Sequence, residues 1–443
     1  MSDHRRKEEI VLIGCFLAVI GVVPVSQVVI ELCRGERVQF TDVFRYKPTA
    51  GNLRQFERNL EDKSWFQQAL RPQMQRLLFH ALADTGSKAM MGRDGWLFYR
   101  PDVRYLVEPN RLEVDKSGSK WVRPPDGSTC RDSVVRAIIR FRDQLRERGI
   151  ELLVVPVPGK PCVYPDQLTR RAVGKEQQFR SPTEDLLDDL RKQGVVAADL
   201  FAAFRDSRKN APAETLFLAR DTHWTPAGAR AAANAAAHRL RELGWAPPES
   251  RRYETSNVSV RRFGDVLEMT QIPGIQSEFE PEVAECEQVR DPALGVLIPS
   301  PSDRPGTYRF PAQKASILVL GDSYCRIYQT PEPRSLGEMT SQGEEVRGKR
   351  SELRETNGKE DRATRTVLPG SAGFLSHLAL ALKAPVDYIV SDGGAATDVR
   401  KRLSTNPEIL EDKKVVIWEF AERDVALGRQ GWEDAPLPPK LGP

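Results

Sequence analysis

The chain reads as an α/β protein: a three-layer α/β/α sandwich around a mostly parallel sheet, preceded by an N-terminal transmembrane helix. Three observations carry that expectation. Short, almost wholly apolar runs recur at Leu152–Val157, Ser316–Leu320, Val386–Val390 and Lys414–Phe420, and strands without polar alternation are those buried on both faces, as in parallel sheets covered by helices. Stretches with apolar residues at helical spacing lie between them. Near the start, Ile10 to Ile30 reads IVLIGCFLAVIGVVPVSQVVI, close to the ~20 apolar residues that cross a bilayer.

From the N-terminus, residues 1–9 are expected as a cytoplasmic tail and 10–32 as the anchor. Arg5, Arg6 and Lys7 favour keeping that end inside, although Glu8 and Glu9 weaken the bias and Arg34 and Arg37 follow the run. A cleaved signal peptide is the competing reading, but a small-x-small cleavage pattern is missing and the run is long for such a segment. Either reading sends the remainder out of the cytoplasm. The expected location is thus the cytoplasmic membrane, with one span and the main domain in the periplasm or outside the cell.

Residues 33–89 are expected as a juxtamembrane segment of one or two helices, with Leu60, Trp65, Phe66, Leu70, Leu77 and Leu78 at roughly helical spacing. Residues 90–430 form the main domain and 431–443 a tail. Within the domain, Ser133–Arg148 carries Val134, Val135, Ile138, Ile139 and Leu145 and stops at Gly149. The strand Leu152–Val157 follows, then a helix over Ser181–Gln193 stopped by Gly194, and a strand over Val195–Asp199. Thr225-Pro226 supplies an N-cap and a first-turn proline for an Ala-rich helix closed by Gly244. Residues 251–311 lack the rhythm and are expected as an irregular excursion with short strands. After the strand Ser316–Leu320, residues 334–367 are dominated by charge, Gly, Ser and Thr, the composition of a solvated insertion. A helix over Gly370–Leu382 and the strands Val386–Val390 and Lys414–Phe420 complete the domain.

Composition excludes some functions. The net charge is only +4 from 66 basic and 62 acidic residues, and no basic stripe with interleaved aromatics marks a nucleic-acid surface. The six cysteines form no CxxC pair and no Cys/His cluster at metal spacing, so neither a metal nor a cofactor is expected. Outside the cytoplasm one disulfide among Cys130, Cys162, Cys286 and Cys325 is plausible, though spacing fixes no pairing.

Candidate chemistry falls where an α/β sheet places it, at the C-terminal ends of strands. Gly321-Asp322-Ser323-Tyr324 follows the strand SILVL. The glycine permits a tight turn that holds Ser323 at the sheet edge, and a serine hydroxyl needs a base to become a nucleophile. The competing reading is a loop serine capping the next helix. Asp221-Thr222-His223-Trp224 precedes the Thr225-Pro226 helix start. Residues two apart in an extended segment share a side, so Asp221 can fix one imidazole nitrogen of His223 and leave the other free as a base. An Asp cap beside a buried histidine is the bland alternative. For an oxyanion, the Ser323 N–H is one donor, and Gly393 and Gly394, after the strand VDYIV, offer flexible backbone; a simple turn explains the glycines as well. Glu419, Glu422 and Arg423, at the end of KVVIWEF, face the same rim or form a surface ion-pair network.

GDSY together with DTHW resembles the SGNH-type domain of the alginate O-acetyltransferases, the AlgJ/AlgX group. GRDGWLF at Gly92–Phe98, PVPGKPCVYPDQL at Pro156–Leu168, DTHWTPAG at Asp221–Gly228, ILVLGDSYCRIY at Ile317–Tyr328 and VVIWEFAER at Val415–Arg423 agree in order. As in that group, the Asp-x-His motif precedes the serine. The resemblance implies an SGNH-like fold, with Ser323 as nucleophile, His223 as base and Asp221 as its orienting acid. It further implies transfer of acetyl groups to an extracytoplasmic polysaccharide. The donor is then expected to be supplied by a multipass membrane O-acyltransferase. Trp96, Trp224, Tyr324 and Arg423 are candidates for gripping sugar, with packed aromatics the alternative. A carbohydrate esterase using the same triad, or a noncatalytic polysaccharide-binding scaffold, remain the other readings.

Overall fold

The computed structural model describes residues 2–45, 47–108, 113–114, 121–122, 129–293, 296–297, 308–309, 315–333 and 367–439. The charged insertion expected at 334–367 lies almost wholly outside them. The described residues divide into two compact units, 1–85 with 271–275, and 86–270 with 276–443.

The first unit is helical. Helix α1 spans Ser2–Cys33, α2 Ala50–Lys63 and α3 Trp65–Leu82. Trp65 ties α3 to α1, donating its indole N–H to Ser26 Oγ at 2.9 Å and its backbone N–H to Gln27 Oε1 at 2.9 Å. Helix α1 covers the apolar run and leaves Ile10, Leu12, Ile13, Phe16, Leu17 and Ile20 exposed. The expected transmembrane helix is not found: among the described residues, no helix is long and apolar enough to cross a membrane.

The second unit is a three-layer sandwich. The strands that frame the site, in chain order, are β1 Glu151–Val157, β2 Val196–Ala197, β3 Glu254–Arg262, β4 Glu282–Asp291, β5 Tyr308–Arg309, β6 Ile317–Gly321, β7 Asp387–Val390 and β8 Val415–Ala421. Six of them form one sheet in the order β5-β7-β6-β8-β1-β2, parallel except where β5 runs against β7. The helices that cover the sheet are α4 Cys130–Arg146, α5 Pro182–Lys192, α6 Leu200–Asn210, α7 Pro226–Glu242, α8 Phe374–Leu382 and α9 Asp398–Thr405.

Strand period explains the layers. Leu153, Val155, Ile317, Val319 and Ile417 point to one face and pack with α7 and α8, through residues such as Ala233 and Leu378. Leu152, Val154, Leu318, Leu320 and Trp418 point to the other face, against α4, α5 and α9. Both faces are buried, which is why the strands carry no polar alternation.

Local signals start the helices. Thr129 and Asp132 form a capping box on α4, Ser181 and Glu184 another on α5, and Thr225 Oγ1 accepts the Gly228 N–H at 3.1 Å on α7. The sequence expectation differs in three places. The helices α6 and α9 were not anticipated. The stretch after Arg251 is no irregular excursion: β3 and β4 are long strands paired over nine residues in an antiparallel ladder. That pattern is obscured because β3 exposes one face throughout and buries only Val260 on the other, so most of the strand reads as polar. Cys130, Cys162, Cys286 and Cys325 are all buried free thiols, so the described residues contain no disulfide.

Candidate active site

Strand β6 ends at Gly321, and the chain turns at once. A Cβ on Gly321 would run into Cys325 Sγ and lie 2.6 Å from Glu419 Oε2, so any larger residue would have to displace both buried side chains. Asp322, not Ser323, caps the short helix that follows: its carboxylate accepts the Tyr324 N–H at 2.8 Å and the Ala421 N–H at 3.1 Å, from the end of β8. That leaves Ser323 with its hydroxyl outward and its backbone N–H without an acceptor among the described residues.

The histidine comes from a tight loop. Phe217 and Trp224 pair across it as an isolated bridge, with the Leu218 N–H on the His223 carbonyl at 3.3 Å and the Thr225 N–H on the Leu216 carbonyl at 2.9 Å. Asp221 Oδ1 accepts both the His223 backbone N–H at 2.9 Å and Nδ1–H at 2.7 Å. An ionised carboxylate only accepts, so Nδ1 is the donor and Nε2 carries the lone pair. Nε2 lies 2.8 Å from Ser323 Oγ. The three residues, 102 positions apart at the extremes, thus form one continuous hydrogen-bonded chain within the reach of nucleophile activation.

A set of buried groups holds the loop in place. Lys160, just beyond β1, is 1 % exposed, and its ammonium donates to the carbonyls of Leu218 at 3.0 Å, Ala219 at 2.9 Å and Asp221 at 2.7 Å. Burial lowers its pKa to about 8. Arg262, at the end of β3, donates to Asp221 Oδ2, which also accepts the Asp265 N–H at 3.1 Å. Burial works to raise the Asp221 carboxyl, but the Arg262 guanidinium and His223 outweigh it and hold it well below the usual range. Asp265 accepts the Thr222 N–H and hydroxyl, each at 2.6 Å. Burial, then the neighbouring Asp221 charge, pushes the Asp265 carboxyl up.

Of the residues singled out in the sequence, Ser323, His223 and Asp221 are brought together. Tyr324 and Trp224 are buried and pack against each other, ring centroids 5.0 Å apart, so they wall the site from beneath and cannot grip a sugar. Trp96, only partly buried, stacks on Phe98 and lies tilted against Tyr164. Arg423 stays partly exposed between the rings of Tyr99 and Tyr324, 5.6 Å from each, with Nη1 3.4 Å from Asp102 Oδ1. Glu419 and Glu422 are no surface network: both are buried, Glu419 accepting the Asp322 N–H at 3.0 Å and Glu422 the Gly159 N–H at 2.6 Å. The Gly394 N–H is taken by the Ser391 carbonyl at 2.9 Å. Gly393 has φ +65° with open space where a Cβ would stand, and among the described residues no hydrogen bond ties either glycine to Ser323.

Sequence reasoning missed Lys160, Arg262 and Asp265. Lys160 carried a usable signal, because it follows the end of an apolar strand, where chemistry gathers. Nothing distinguishes Arg262 among the many basic residues. Asp221, His223 and Asp265 also present ligand atoms within 4.8 Å of one another, a spacing that suits a metal ion. In this arrangement those atoms already accept from His223, Thr222 and Arg262, and a cation there would face the Arg262 guanidinium.

Residues 89–338 match the family described as SGNH hydrolase-like domain, acetyltransferase AlgX. The chain is similar to the probable alginate O-acetylase AlgJ of Pseudomonas aeruginosa, 25% identical over 240 residues that cover 53% of this chain and 54% of that protein. It is 31% identical to the AlgJ of Pseudomonas putida over 152 residues, 33% of this chain and 32% of that one. The matches thus span about half the length of these curated relatives, or less. Among solved structures, the O-acetyltransferase domain of Pseudomonas putida AlgJ aligns over 76% of this chain and 92% of that chain, with 20% identity and a TM-score of 0.49.

Proposed function

Since the chain belongs to the SGNH hydrolase-like, AlgX-type acetyltransferase family, we propose that it moves acetyl groups onto hydroxyls of an extracytoplasmic, alginate-like polysaccharide through an acetyl-enzyme on Ser323. The observation that carries this reading is the 2.8 Å contact between His223 Nε2 and Ser323 Oγ, with Nδ1 already committed to Asp221.

In the first half-reaction Nε2 takes the Ser323 proton as Oγ attacks the carbonyl carbon of an acetyl ester. The developing oxyanion is met by the unspent Ser323 N–H. Collapse expels the donor's alcohol oxygen, which leaves with the proton from His223. In the second half-reaction a sugar hydroxyl gives its proton to Nε2 and attacks the acetyl-enzyme, and that proton returns to Ser323 Oγ. Asp221 stays ionised throughout and stabilises the imidazolium.

The same proposal places the protein at the cytoplasmic membrane with the enzyme domain outside the cytoplasm. The exposed apolar side chains of α1, preceded by Arg5, Arg6 and Lys7, support it. A multipass membrane O-acyltransferase then supplies the acetyl group. Full-length protein that carbonate strips from the membrane would count against this placement, and association that survives deletion of residues 2–33 would move the anchor elsewhere in the chain.

The test of the chemistry uses the whole chain with an acetyl ester donor and an oligosaccharide acceptor. Acetylated sugar, lost on Ser323→Ala, is the expected result. Acetate release with no acetylated sugar makes the protein an esterase with the same triad. Acetylated sugar formed undiminished by the Ser323→Ala protein removes the acetyl-enzyme on Ser323, and neither acetylated sugar nor released acetate from the wild-type chain makes it a scaffold.

A further inference from the structure

The β3–β4 pair packs on α7 and α8 through Val260, Ala284 and Cys286, and the turn just past β3 comes back against the histidine loop. Gly264 is the contact point. A Cβ there would collide with the Arg220 carbonyl and sit 2.5 Å from the Asp221 N–H nitrogen. Beyond it, Val266 N–H reaches the Arg220 carbonyl at 3.1 Å. This close approach delivers two charged groups to the far side of the triad. Arg262 lies on Asp221 Oδ2, the oxygen that His223 does not use. Asp265 takes both Thr222 donors and stands 3.5 Å from His223 Nδ1. Both side chains are largely buried, at 13 % and 19 % exposure, so solvent screens them weakly.

We propose that Arg262 and Asp265 are positioning residues for the triad. Arg262 holds Asp221 with Oδ1 turned to His223, Asp265 holds Thr222, and together they set the charge against which His223 works. The inference rests on the acetyl-enzyme reading for its consequence in catalysis, but not for its electrostatics. Asp221 without Arg262 would keep only the Asp265 N–H on Oδ2, leaving that oxygen buried without its cation and the carboxylate less firmly turned to His223. Asp265 without Thr222 would be a second carboxylate competing for Nδ1.

The sign of the effect follows from charge alone. Removing a fixed cation favours a bound proton on the Asp221–His223 couple, whichever residue carries it. Removing the Asp265 anion does the reverse. The other ionisable groups facing the couple are Lys160 behind the loop, and Asp322, Tyr324 and Tyr328 after β6. From farther off, Asp102 and Glu282 act on His223 and Lys160. None of these changes in the variants below, so the shift reports the two residues.

The experiment compares the full-length wild type with Arg262→Gln, Arg262→Lys and Asp265→Asn, reading kcat/KM for p-nitrophenyl acetate against pH. Arg262→Gln is expected to move the acidic limb up by about one pH unit, and Arg262→Lys by less than half as much. Asp265→Asn should move it down. The same shifts are read without turnover, from the His223 ring resonances in a Ser323→Ala background. Lower kcat with unmoved midpoints in both readouts overturns the proposal and leaves the two residues a structural role. Should Arg262→Gln fail to fold, Asp265→Asn decides alone, and an unmoved midpoint there overturns it. Ring resonances that shift as expected in protein lacking any Ser323-dependent turnover would keep this inference and remove the acetyl-enzyme reading instead.

Discussion

The Tyr324 hydroxyl donates to the Thr222 carbonyl across 2.7 Å. The bond joins the residue after the nucleophile to the residue before the base, so the two halves of the site are fixed to each other and not only to the sheet. Its distance from Ser323 in sequence is one residue, yet its partner lies 102 positions away. Tyr324→Phe keeps the ring packed on His223 and Trp224 and removes only the bond. A buried carbonyl left unpaired costs about 1–3 kcal/mol. The expected outcome is a stability loss of that order in urea denaturation, with a fall in kcat larger than any change in KM, because the Ser323–His223 approach loosens while the open face stays as it was.

Lys160 makes a comparable prediction from the other side of the loop. Its ammonium is the common donor for three carbonyls at Leu218, Ala219 and Asp221, and the rings of Phe98 and Trp96 lie 5.1 and 5.7 Å from it. Lys160→Met fills similar volume but leaves the Leu218 and Asp221 carbonyls unpaired, while Ala219 keeps the Leu97 N–H at 2.9 Å. A loss on the order of 3 kcal/mol is expected. Hydrogen exchange should show the 218–224 backbone losing protection before the sheet does; uniform loss across the sheet would mean that Lys160 supports the core and not the loop.

A third expectation concerns pH and stability. Burial raises the Glu422 carboxyl from 4.5 to about 7, against the hydrogen bonds it accepts from Ser181 and Gly159. Below pH 4.5 folded and unfolded chains both hold this proton. Between 4.5 and about 7 the unfolded chain has released it and the folded chain has not, so stability falls as pH rises through that window. Glu422→Gln can still accept from Gly159 and titrates nowhere. Relative to wild type, the variant should be on the order of 2–3 kcal/mol less sensitive to the step from pH 4 to pH 8, measured by urea denaturation at both ends. Equal slopes would show that Glu422 ionises in the folded protein as it does in water.

The reach of the sequence differs between strands and the site for physical reasons. The sheet was legible because β1, β6, β7 and β8 are buried on both faces, and an apolar run has few other uses. The hairpin was not, because β3 exposes most of its residues and polar strands look like loops. In the site, Asp221 and His223 announce themselves by spacing, and Ser323 by the Gly321 turn. The residues that hold them are legible only in three dimensions: Arg262 meets Asp221 across 41 positions and Lys160 meets it across 61. Glu419 and Glu422 show the converse error, since carboxylates at a strand's end suggest a surface, whereas here both are enclosed.

Gly264 supplies the last expectation. Its φ of −82° is open to any residue, so backbone conformation does not demand glycine there. Space does, because a methyl group would enter the Arg220 carbonyl and press on the backbone nitrogen of Asp221. Neither obstacle is a flexible side-chain end that can swing away, so Gly264→Ala must push the turn off the histidine loop. Overpacking of this kind costs about 1–3 kcal/mol, which the large sheet-based domain should survive. The displaced turn carries Asp265 away from Thr222 and weakens the Arg262 contact with Asp221. Folded Gly264→Ala protein is therefore expected to lose at least tenfold in kcat toward an acetyl ester, with circular dichroism unchanged and KM little affected. Wild-type kcat in the folded variant would show that the hairpin touches the histidine loop without controlling it.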